Sequence, residues 1–179
     1  MVYPATHMPT GECRAVKFVK IRQWGQYLLE RGAMMRLSEN SHRNILQCLK
    51  DWVAPDYRTA VQLFPLGQFT LFELLRKKGV RYPRQAFQFC QDVALGTSHL
   101  HLLSILHRDI KTDNVICFIE PSLTNADAYY TVAKIGDFSL AKLVRGDQEE
   151  QEAGMAACIS RSVHCSLIHV SMCRLLHIG

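Results

Sequence analysis

The stretch HRDIKTDNV, residues 107–115, brings together side chains that could carry out acid–base and metal chemistry. Asp109 follows an apolar run, and a carboxylate in such a loop can orient a hydroxyl group and accept its proton. Lys111 can offset negative charge that develops on a transferred phosphoryl group. The amide oxygen of Asn114 can ligate a hard cation such as Mg²⁺, which prefers oxygen ligands. The spacing therefore predicts a base, a phosphate-facing cation and a metal ligand in one short loop.

Three residues elsewhere in the sequence could complete this set. Asp137 comes just after an apolar strand and supplies the second oxygen ligand that a cation held against phosphates requires. Lys17 lies in the strand-like stretch 13–21, from which its ammonium group could reach phosphates. Glu30, in a helical stretch, is the candidate carboxylate to position Lys17. The alternative for Glu30 is a solvated helix position, because Gly32 blurs the helix register.

The elements that must position these residues are indicated by hydrophobic spacing and turn signals. Thr70 and Glu73 have the spacing of a capping box, in which each side chain bonds the other's backbone amide at a helix start. Helices are predicted over 23–37, over 71–78 with Gly79 as the stop, and after Pro83. Strands are predicted over 2–21 as a hairpin, 45–53, 59–64, 115–119 and 131–136.

The helix after Pro83 has the clearest apolar stripe in the sequence. Its apolar residues recur at spacings of three or four, which indicates one buried face: Phe89, Val93, Gly96, Leu100 and Leu103. Strands and one helix precede a mainly helical part of the chain. This segregation predicts an α+β fold with a small sheet-rich lobe and a helical lobe.

Composition narrows the class of protein. The chain has 179 residues, of which 48% are hydrophobic and 21% are charged, values that suit a globular domain. The net charge of +5 comes from scattered basic residues, so we expect no nucleic-acid partner. No apolar run approaches the ~20 residues that span a bilayer, so we expect no membrane partner. Seven cysteines and no secretory leader favour reduced thiols and a cytoplasmic or nuclear location.

Three motifs resemble those of one family. The stretch HRDIKTDN, residues 107–114, resembles the catalytic loop of eukaryotic protein kinases. Ala15-Val16-Lys17 resembles their lysine-bearing strand, and Asp137-Phe138-Ser139 resembles their Asp-Phe-Gly motif with serine in place of glycine. Because these motifs occur in the family's order on the expected loops and strands, the chain is identified as a member of that family. The resemblance implies a two-lobed fold with ATP bound between the lobes.

The resemblance also implies a role for each polar residue. Asp109 would be the catalytic base, and Lys111 would steady the γ-phosphate, as its counterpart does in serine/threonine kinases. Asn114 and Asp137 would hold Mg²⁺. Lys17, paired with its helix carboxylate, would grip the α- and β-phosphates of ATP. The expected cofactors are thus ATP and Mg²⁺, and the expected partner is a protein substrate with serine or threonine.

The adenine pocket is assigned by the same resemblance. Residues 61–64 resemble the strand entering the hinge between the lobes, so Leu63 is expected as the gatekeeper and Phe64-Pro65-Leu66 as the hinge. Pro65 has no backbone N–H, so the donor to adenine should be the amide of Leu66. The base would be covered on its two faces by three apolar residues, namely Val2 and Ala15 on one side and Ile116 on the other.

The resemblance covers about residues 2–145, with the N-lobe at about 1–66 and a partial C-lobe at about 67–145. The family's glycine-rich loop and its Ala-Pro-Glu motif do not occur in the sequence, so we expect a domain truncated at both ends. Residues 146–179 resemble nothing in the family and are expected to form a flexible tail. The leading interpretation is a serine/threonine protein kinase. The alternative is a catalytically inactive, kinase-like fragment that acts as a binding module.

Overall fold

A computed structural model describes residues 1–77, 83–121 and 129–144 of the chain. Within these ranges it has nine strands and three α-helices arranged as two lobes. The predicted helix stop at Gly79 and the predicted tail at 146–179 lie outside the described residues.

The N-lobe is a four-stranded antiparallel sheet packed on one helix. Its strands lie in the order β1-β2-β4-β3, and β1 and β2 form the predicted hairpin. The predicted strand over 45–53 is shorter than expected, since Ile45 forms only an isolated bridge with Ile135 of the other lobe. The bounds of the elements are β1 Val2–Thr6, β2 Cys13–Lys20, α1 Trp24–Glu39, β3 Lys50–Val53 and β4 Thr59–Pro65.

Helix α1 buries one face and exposes the other. The buried residues recur at spacings of three or four and include the charged residue Glu30: Tyr27, Glu30, Ala33, Met34 and Leu37. Trp24 and Leu28 share the opposite, exposed face. The helix therefore turns Glu30 toward the sheet, which is where Lys17 lies.

The C-lobe combines two helices with two small sheets. The strands β5, β7 and β8 form one antiparallel sheet, and β6 pairs with β9. The capping box at the start of α2 is confirmed, because the Thr70 amide donates to Glu73 Oε2 at 3.0 Å and the Glu73 amide donates to Thr70 Oγ1 at 3.1 Å. The bounds are β5 Phe69–Thr70, α2 Leu71–Lys77, α3 Pro83–Leu102, β6 Ile105–Leu106, β7 Val115–Pro121, β8 Tyr129–Ile135 and β9 Lys142–Leu143.

Helix α3 forms much of the C-lobe core with its inner face. Phe89 and Leu100 are almost fully buried there. Gly96 lets the helix approach the N-lobe closely, since a Cβ atom at this position would lie 2.8 Å from the carbonyl oxygen of Asn44. The outer face carries a stripe of exposed residues, called here the α3 stripe: Phe87, Gln91, Ala94, Leu95, Ser98 and Leu102.

The two lobes are joined at the back by the segment 36–46, called here the rear seam. Arg36 Nη1 donates to the carbonyl oxygen of Leu103 at 2.9 Å. The rings of His42 and His99 stack with their centroids 4.7 Å apart. The amide of Leu46 donates to the carbonyl oxygen of β8 residue Ile135 at 2.8 Å. The predicted α+β, two-lobed fold is confirmed. No helix in the described part of the chain is long and apolar enough to cross a membrane.

Candidate active site

The loop between β6 and β7 holds Asp109, Lys111 and Asn114 in one hydrogen-bonded group. Lys111 Nζ donates to Asp109 Oδ2 at 2.8 Å, and this bond raises the pKa of Lys111. Asn114 Nδ2 donates to the backbone oxygen of Asp109 at 2.8 Å and to its Oδ2 at 2.9 Å. A short 3₁₀ turn over Thr112–Asn114 brings the amide back toward the carboxylate. The three residues predicted to act together are therefore in contact.

His107 anchors this loop to the segment that carries Asp137. Its side chain is buried, and burial lowers the pKa of the imidazole, so the ring is neutral. Nδ1 accepts the Asp109 amide at 3.3 Å, which makes Nε2 the donor to the carbonyl oxygen of Gly136 at 2.9 Å. The His107 ring also packs edge-on against Phe138, with centroids 5.1 Å apart. His107 therefore links the loop of Asp109 directly to the Asp137 segment.

Asp137 sits at a turn where its carboxylate faces the N-lobe. Its φ of 58° is the left-handed conformation that ends β8 and turns the chain into a short 3₁₀ segment. Lys17 Nζ lies 2.7 Å from Asp137 Oδ1. Burial by itself would raise the pKa of Asp137, but the charge and hydrogen bond of Lys17, together with hydrogen bonds from Ser139, outweigh it and hold the pKa below its ordinary value.

Lys17 also approaches the helix carboxylate predicted to position it. Its Nζ lies 3.7 Å from Glu30 Oε1, and Glu30 is buried with 4% of its surface exposed. Gln62 Nε2 donates to the same oxygen at 3.3 Å. A buried carboxylate needs such partners. The contacts favour the positioning interpretation of Glu30 over that of a solvated helix residue.

A cavity of about 430 Å³ opens between the lobes beside these residues. Its wall contains both charged and apolar side chains, as is usual in small-molecule sites. Eight of the predicted site residues line it: Val2, Ala15, Lys17, Phe64, Leu66, Asn114, Ile116 and Asp137.

Leu63 lies outside the residues that line this cavity, contrary to its prediction as gatekeeper. The reason is the alternation of side chains along a strand. Phe64 pairs with Ala15, so both face the cavity, whereas Leu63 pairs with Val16 on the opposite face of the sheet. Phe64, and not Leu63, therefore lines the cavity, and the three residues predicted as the hinge, Phe64, Pro65 and Leu66, all lie in its wall.

The sequence interpretation missed several residues of the cavity wall. Gly67 is one of them, and a Cβ atom there would collide with Ile116 Cγ2, so only glycine fits this close approach. The Pro-Leu-Gly order after β4 was a detectable signal for that turn. Glu73 and Asp113 add two carboxylates to the cavity wall, and the capping-box spacing indicated Glu73 only as part of a helix start.

The donor set suits a magnesium ion. Mg²⁺ is bound through one or two protein oxygen ligands together with substrate phosphates. Both hydrogen bonds that the structure describes for the Asn114 side chain use Nδ2, which leaves Oδ1 to ligate a cation. The Asp137 segment is tied to the same residue, because the Gly136 amide donates to the backbone oxygen of Asn114 at 2.8 Å. Asn114 and Asp137 are thus the residues that would hold the ion.

Comparison with known proteins agrees with this geometry. The family model described as "Protein kinase domain" matches residues 1–162. The chain belongs to the protein kinase family. This membership confirms the identification made from the three motifs.

The relatives of this kinase-family chain include several serine/threonine kinases. It is 29% identical to the "Mitosis inducer protein kinase cdr1" of Schizosaccharomyces pombe over 146 residues, which are 80% of this chain and 22% of that protein. It is 30% identical to the "Probable serine/threonine-protein kinase fhkD" of Dictyostelium discoideum over 146 residues, which are 78% of this chain and 18% of that protein.

Among solved structures, the "yeast RNA Pol II CTD kinase CTDK-1 complex" contains a chain that matches with a TM-score of 0.64 and 25% identity. The match covers 81% of this chain and 44% of that chain. The kinase-family chain therefore spans less than half of this solved chain and about a fifth of the two curated relatives described above.

Proposed function

We propose that the protein is a serine/threonine protein kinase that transfers the γ-phosphoryl group of ATP to a hydroxyl group of a protein substrate. The observation that carries the proposal is the contact of Lys111 and of the cavity-lining residue Asn114 with one oxygen of Asp109. A lysine and a metal-ligating amide around one carboxylate are what a phosphoryl transfer to a hydroxyl group requires.

Each residue has a distinct part in this reaction. Asp109 Oδ1 or Oδ2 accepts the proton of the substrate hydroxyl, while Lys111 stays charged and faces the transferred group, since its pKa is raised. Lys17, held by Glu30, donates to the α- and β-phosphates. When bound, Mg²⁺ neutralises charge on the β- and γ-phosphates, and Asn114 and Asp137 supply its protein ligands.

Lys17 must exchange partners when nucleotide binds. In the structure its ammonium group lies closer to Asp137 than to Glu30, at 2.7 Å against 3.7 Å. Phosphates would draw it from Asp137, and this would free the carboxylate to ligate the cation. The structure thus supports a site in which the lysine occupies the metal carboxylate until the nucleotide is present.

Nucleotide binding is tested by a thermal-shift titration with Mg·ATP. We expect the melting temperature of the wild-type chain to rise with Mg·ATP concentration. The rise should be much smaller for Asp137→Ala. An absent shift in the wild type, or equal shifts in both proteins, would contradict the proposal.

Catalysis is tested by phosphate transfer from radiolabelled ATP to a mixture of serine- and threonine-containing peptides. Asp109→Asn keeps the size of the side chain and removes the base, so we expect transfer to fall to background. Nucleotide binding without transfer in the wild type would favour the alternative of a catalytically inactive binding module. Transfer that survives Asp109→Asn would show that Asp109 is not the base.

A further inference from the structure

The outer edge of β8 is held by residues that the proposed reaction does not use. Strand β8 ends the sheet β5-β7-β8, so every second residue directs its backbone N–H and C=O away from β7. Such groups need partners when they are buried. Ala133 is one of these residues, and it is almost fully buried.

Both backbone groups of Ala133 are bound by side chains from other elements. Its amide donates to Asp92 Oδ2 of helix α3 at 2.8 Å. Its carbonyl oxygen accepts from Asn44 Nδ2 of the rear seam at 3.0 Å. The next outward-facing residue, Ile135, donates its amide to the backbone oxygen of Asn44 at 2.8 Å. The edge is thus fixed from two sides, four residues before Asp137.

Burying the Asp92 carboxylate at this position costs free energy. It is 4% exposed, and Gln88 Nε2 at 3.4 Å is its other hydrogen-bond donor. Within the described part of the chain, no lysine, arginine or histidine lies at ion-pair distance from it. A buried carboxylate without a cation is costly, and a leucine of similar size would fill the space. The hydrogen bond that its carboxylate accepts from the Ala133 amide explains why an aspartate occupies this position.

Strand β8, which Asp92 holds at Ala133, leads directly to Asp137, the carboxylate proposed to bind the metal. After Ile135, the Gly136 amide and carbonyl are bound by Asn114 and His107 on the inner side, and Asp137 follows. The path from Ala133 to Asp137 is therefore bonded along its length, and its outer end is bonded to Asp92. A shift of β8 at Ala133 would be transmitted to the Asp137 carboxylate.

We propose that Asp92 is a positioning residue for the metal site: its carboxylate fixes the register of β8 against α3 and so sets the place of the Asp137 oxygens. This inference rests on the proposed function, because it assigns the purpose of Asp92 to the metal site of the same kinase centre. Asp92 would thus act on the reaction through Asp137, without contacting the nucleotide.

Two variants of the full chain separate positioning from a purely structural role. Asp92→Asn keeps the volume and an oxygen that can accept from the Ala133 amide, while Asp92→Leu keeps the volume and removes the acceptor. We expect Asp92→Leu to raise the Mg²⁺ concentration needed for half-maximal nucleotide-induced stabilisation by about tenfold, as is usual when a support of a metal ligand is lost. Asp92→Asn should stay near the wild-type midpoint.

A purely structural role of Asp92 would change the melting temperature measured without nucleotide. A lower melting temperature with an unchanged Mg²⁺ midpoint in Asp92→Leu would overturn the inference. The second readout is hydrogen exchange of the amides from Ala133 to Asp137 in the absence of nucleotide. We expect faster exchange there in Asp92→Leu, with little change in β2, which belongs to the separate N-lobe sheet.

The exchange readout also separates failure of the inference from failure of the proposed function. If the wild-type chain shows no Mg²⁺-dependent nucleotide binding, the proposed function is wrong and the metal-site role of Asp92 falls with it. If the wild type binds nucleotide with Mg²⁺ but exchange at Gly136 and Asp137 is the same in Asp92→Leu, the proposed function stands and the positioning role is overturned.

Discussion

The carboxylate of Asp137 and the ammonium group of Lys17 form the closest ion pair across the cleft, at 2.7 Å. The pKa of Asp137 is lowered in the folded protein, so the pair stabilises the fold at pH values above the ordinary aspartate pKa of about 4. This stabilisation is lost as the pH falls through the lowered pKa. Asp137→Asn removes the titrating group, so the free energy of unfolding should decrease less between pH 6 and pH 3 than in the wild type.

Urea denaturation at a series of pH values measures this difference. The comparison should be made without nucleotide and Mg²⁺, because under the proposed function Mg²⁺ would compete with protons for the Asp137 carboxylate. Parallel stability curves for the two proteins over the acid range would show that Asp137 does not titrate differently on folding.

The opposite orientations of Phe64 and Leu63 make a second prediction at the residue scale. Phe64→Leu removes a ring edge from the cavity wall, so we expect nucleotide affinity to fall by about fivefold, or about 1 kcal/mol. Leu63→Val trims a side chain on the other face of the sheet and should leave the affinity unchanged. Isothermal titration calorimetry with a non-hydrolysable ATP analogue checks both. A larger effect from Leu63→Val would restore Leu63 as the gatekeeper.

At this scale the sequence is informative about polar residues and less so about apolar ones. Asp109, Lys111 and Asn114 could be grouped because their spacing within one loop fixes their distances. The face of the sheet on which Leu63 lies could not be predicted, because a shift of one residue along a strand moves every side chain to the opposite face. The register of β4 against β2 decides that question, and it depends on contacts between distant parts of the chain.

Among the elements, α3 depends on a glycine for its distance from the N-lobe. A Cβ atom at Gly96 would lie 2.8 Å from the backbone oxygen of Asn44 and 3.0 Å from Ile135 Cδ1. Gly96→Ala should therefore lower the free energy of unfolding by about 1–3 kcal/mol, because backbone must shift to admit the methyl group. Chemical denaturation monitored by circular dichroism measures the loss.

Gly32 in α1 is the matched control for that variant. A Cβ atom there would lie 3.4 Å from Leu143 Cδ1, the end of a flexible side chain. Gly32→Ala should therefore stabilise the protein by about 0.5–1 kcal/mol through higher helix propensity. Equal effects of the two substitutions would mean that close packing at Gly96 is not what determines its cost.

The long elements were predictable because their signals are local. The helix after Pro83 shows its apolar spacing, and Thr70 with Glu73 shows the start of α2. The two-residue strands β5, β6 and β9 were not predicted, since each exists only by pairing with a distant segment. The bridge from Ile45 to Ile135 has the same origin. Contacts across the lobes leave no periodic pattern in the sequence.

For the molecule as a whole, the α3 stripe is a helical surface that the described residues leave uncovered. Phe87 and Leu102 are 71% and 81% exposed, and they lie on one face of the helix. Exposed apolar faces of this kind promote association. The double variant Phe87→Ser, Leu102→Ser should bind less of the dye ANS and elute as a smaller species in size-exclusion chromatography at high concentration.

The melting temperature of that double variant distinguishes an open surface from a covered one. An unchanged or slightly changed value is expected, because exposed side chains contribute little to stability. The double variant Phe72→Ser, Tyr129→Ser, which alters exposed aromatic residues elsewhere in the C-lobe, serves as the control. A loss of several degrees specific to the α3 variant would mean that the stripe is buried against something in solution.

The rear seam has a mechanical consequence for the cleft. Bonds from Arg36, Asn44 and Leu46 fasten the N-lobe to the C-lobe at the back, while Val2 and Lys17 stand at the front of the cavity. We therefore expect the N-lobe to pivot near Asn44 when the width of the cleft changes. During such a movement Val2 and Lys17 should travel farther than the rear seam, where the distance between His42 and His99 should hardly change.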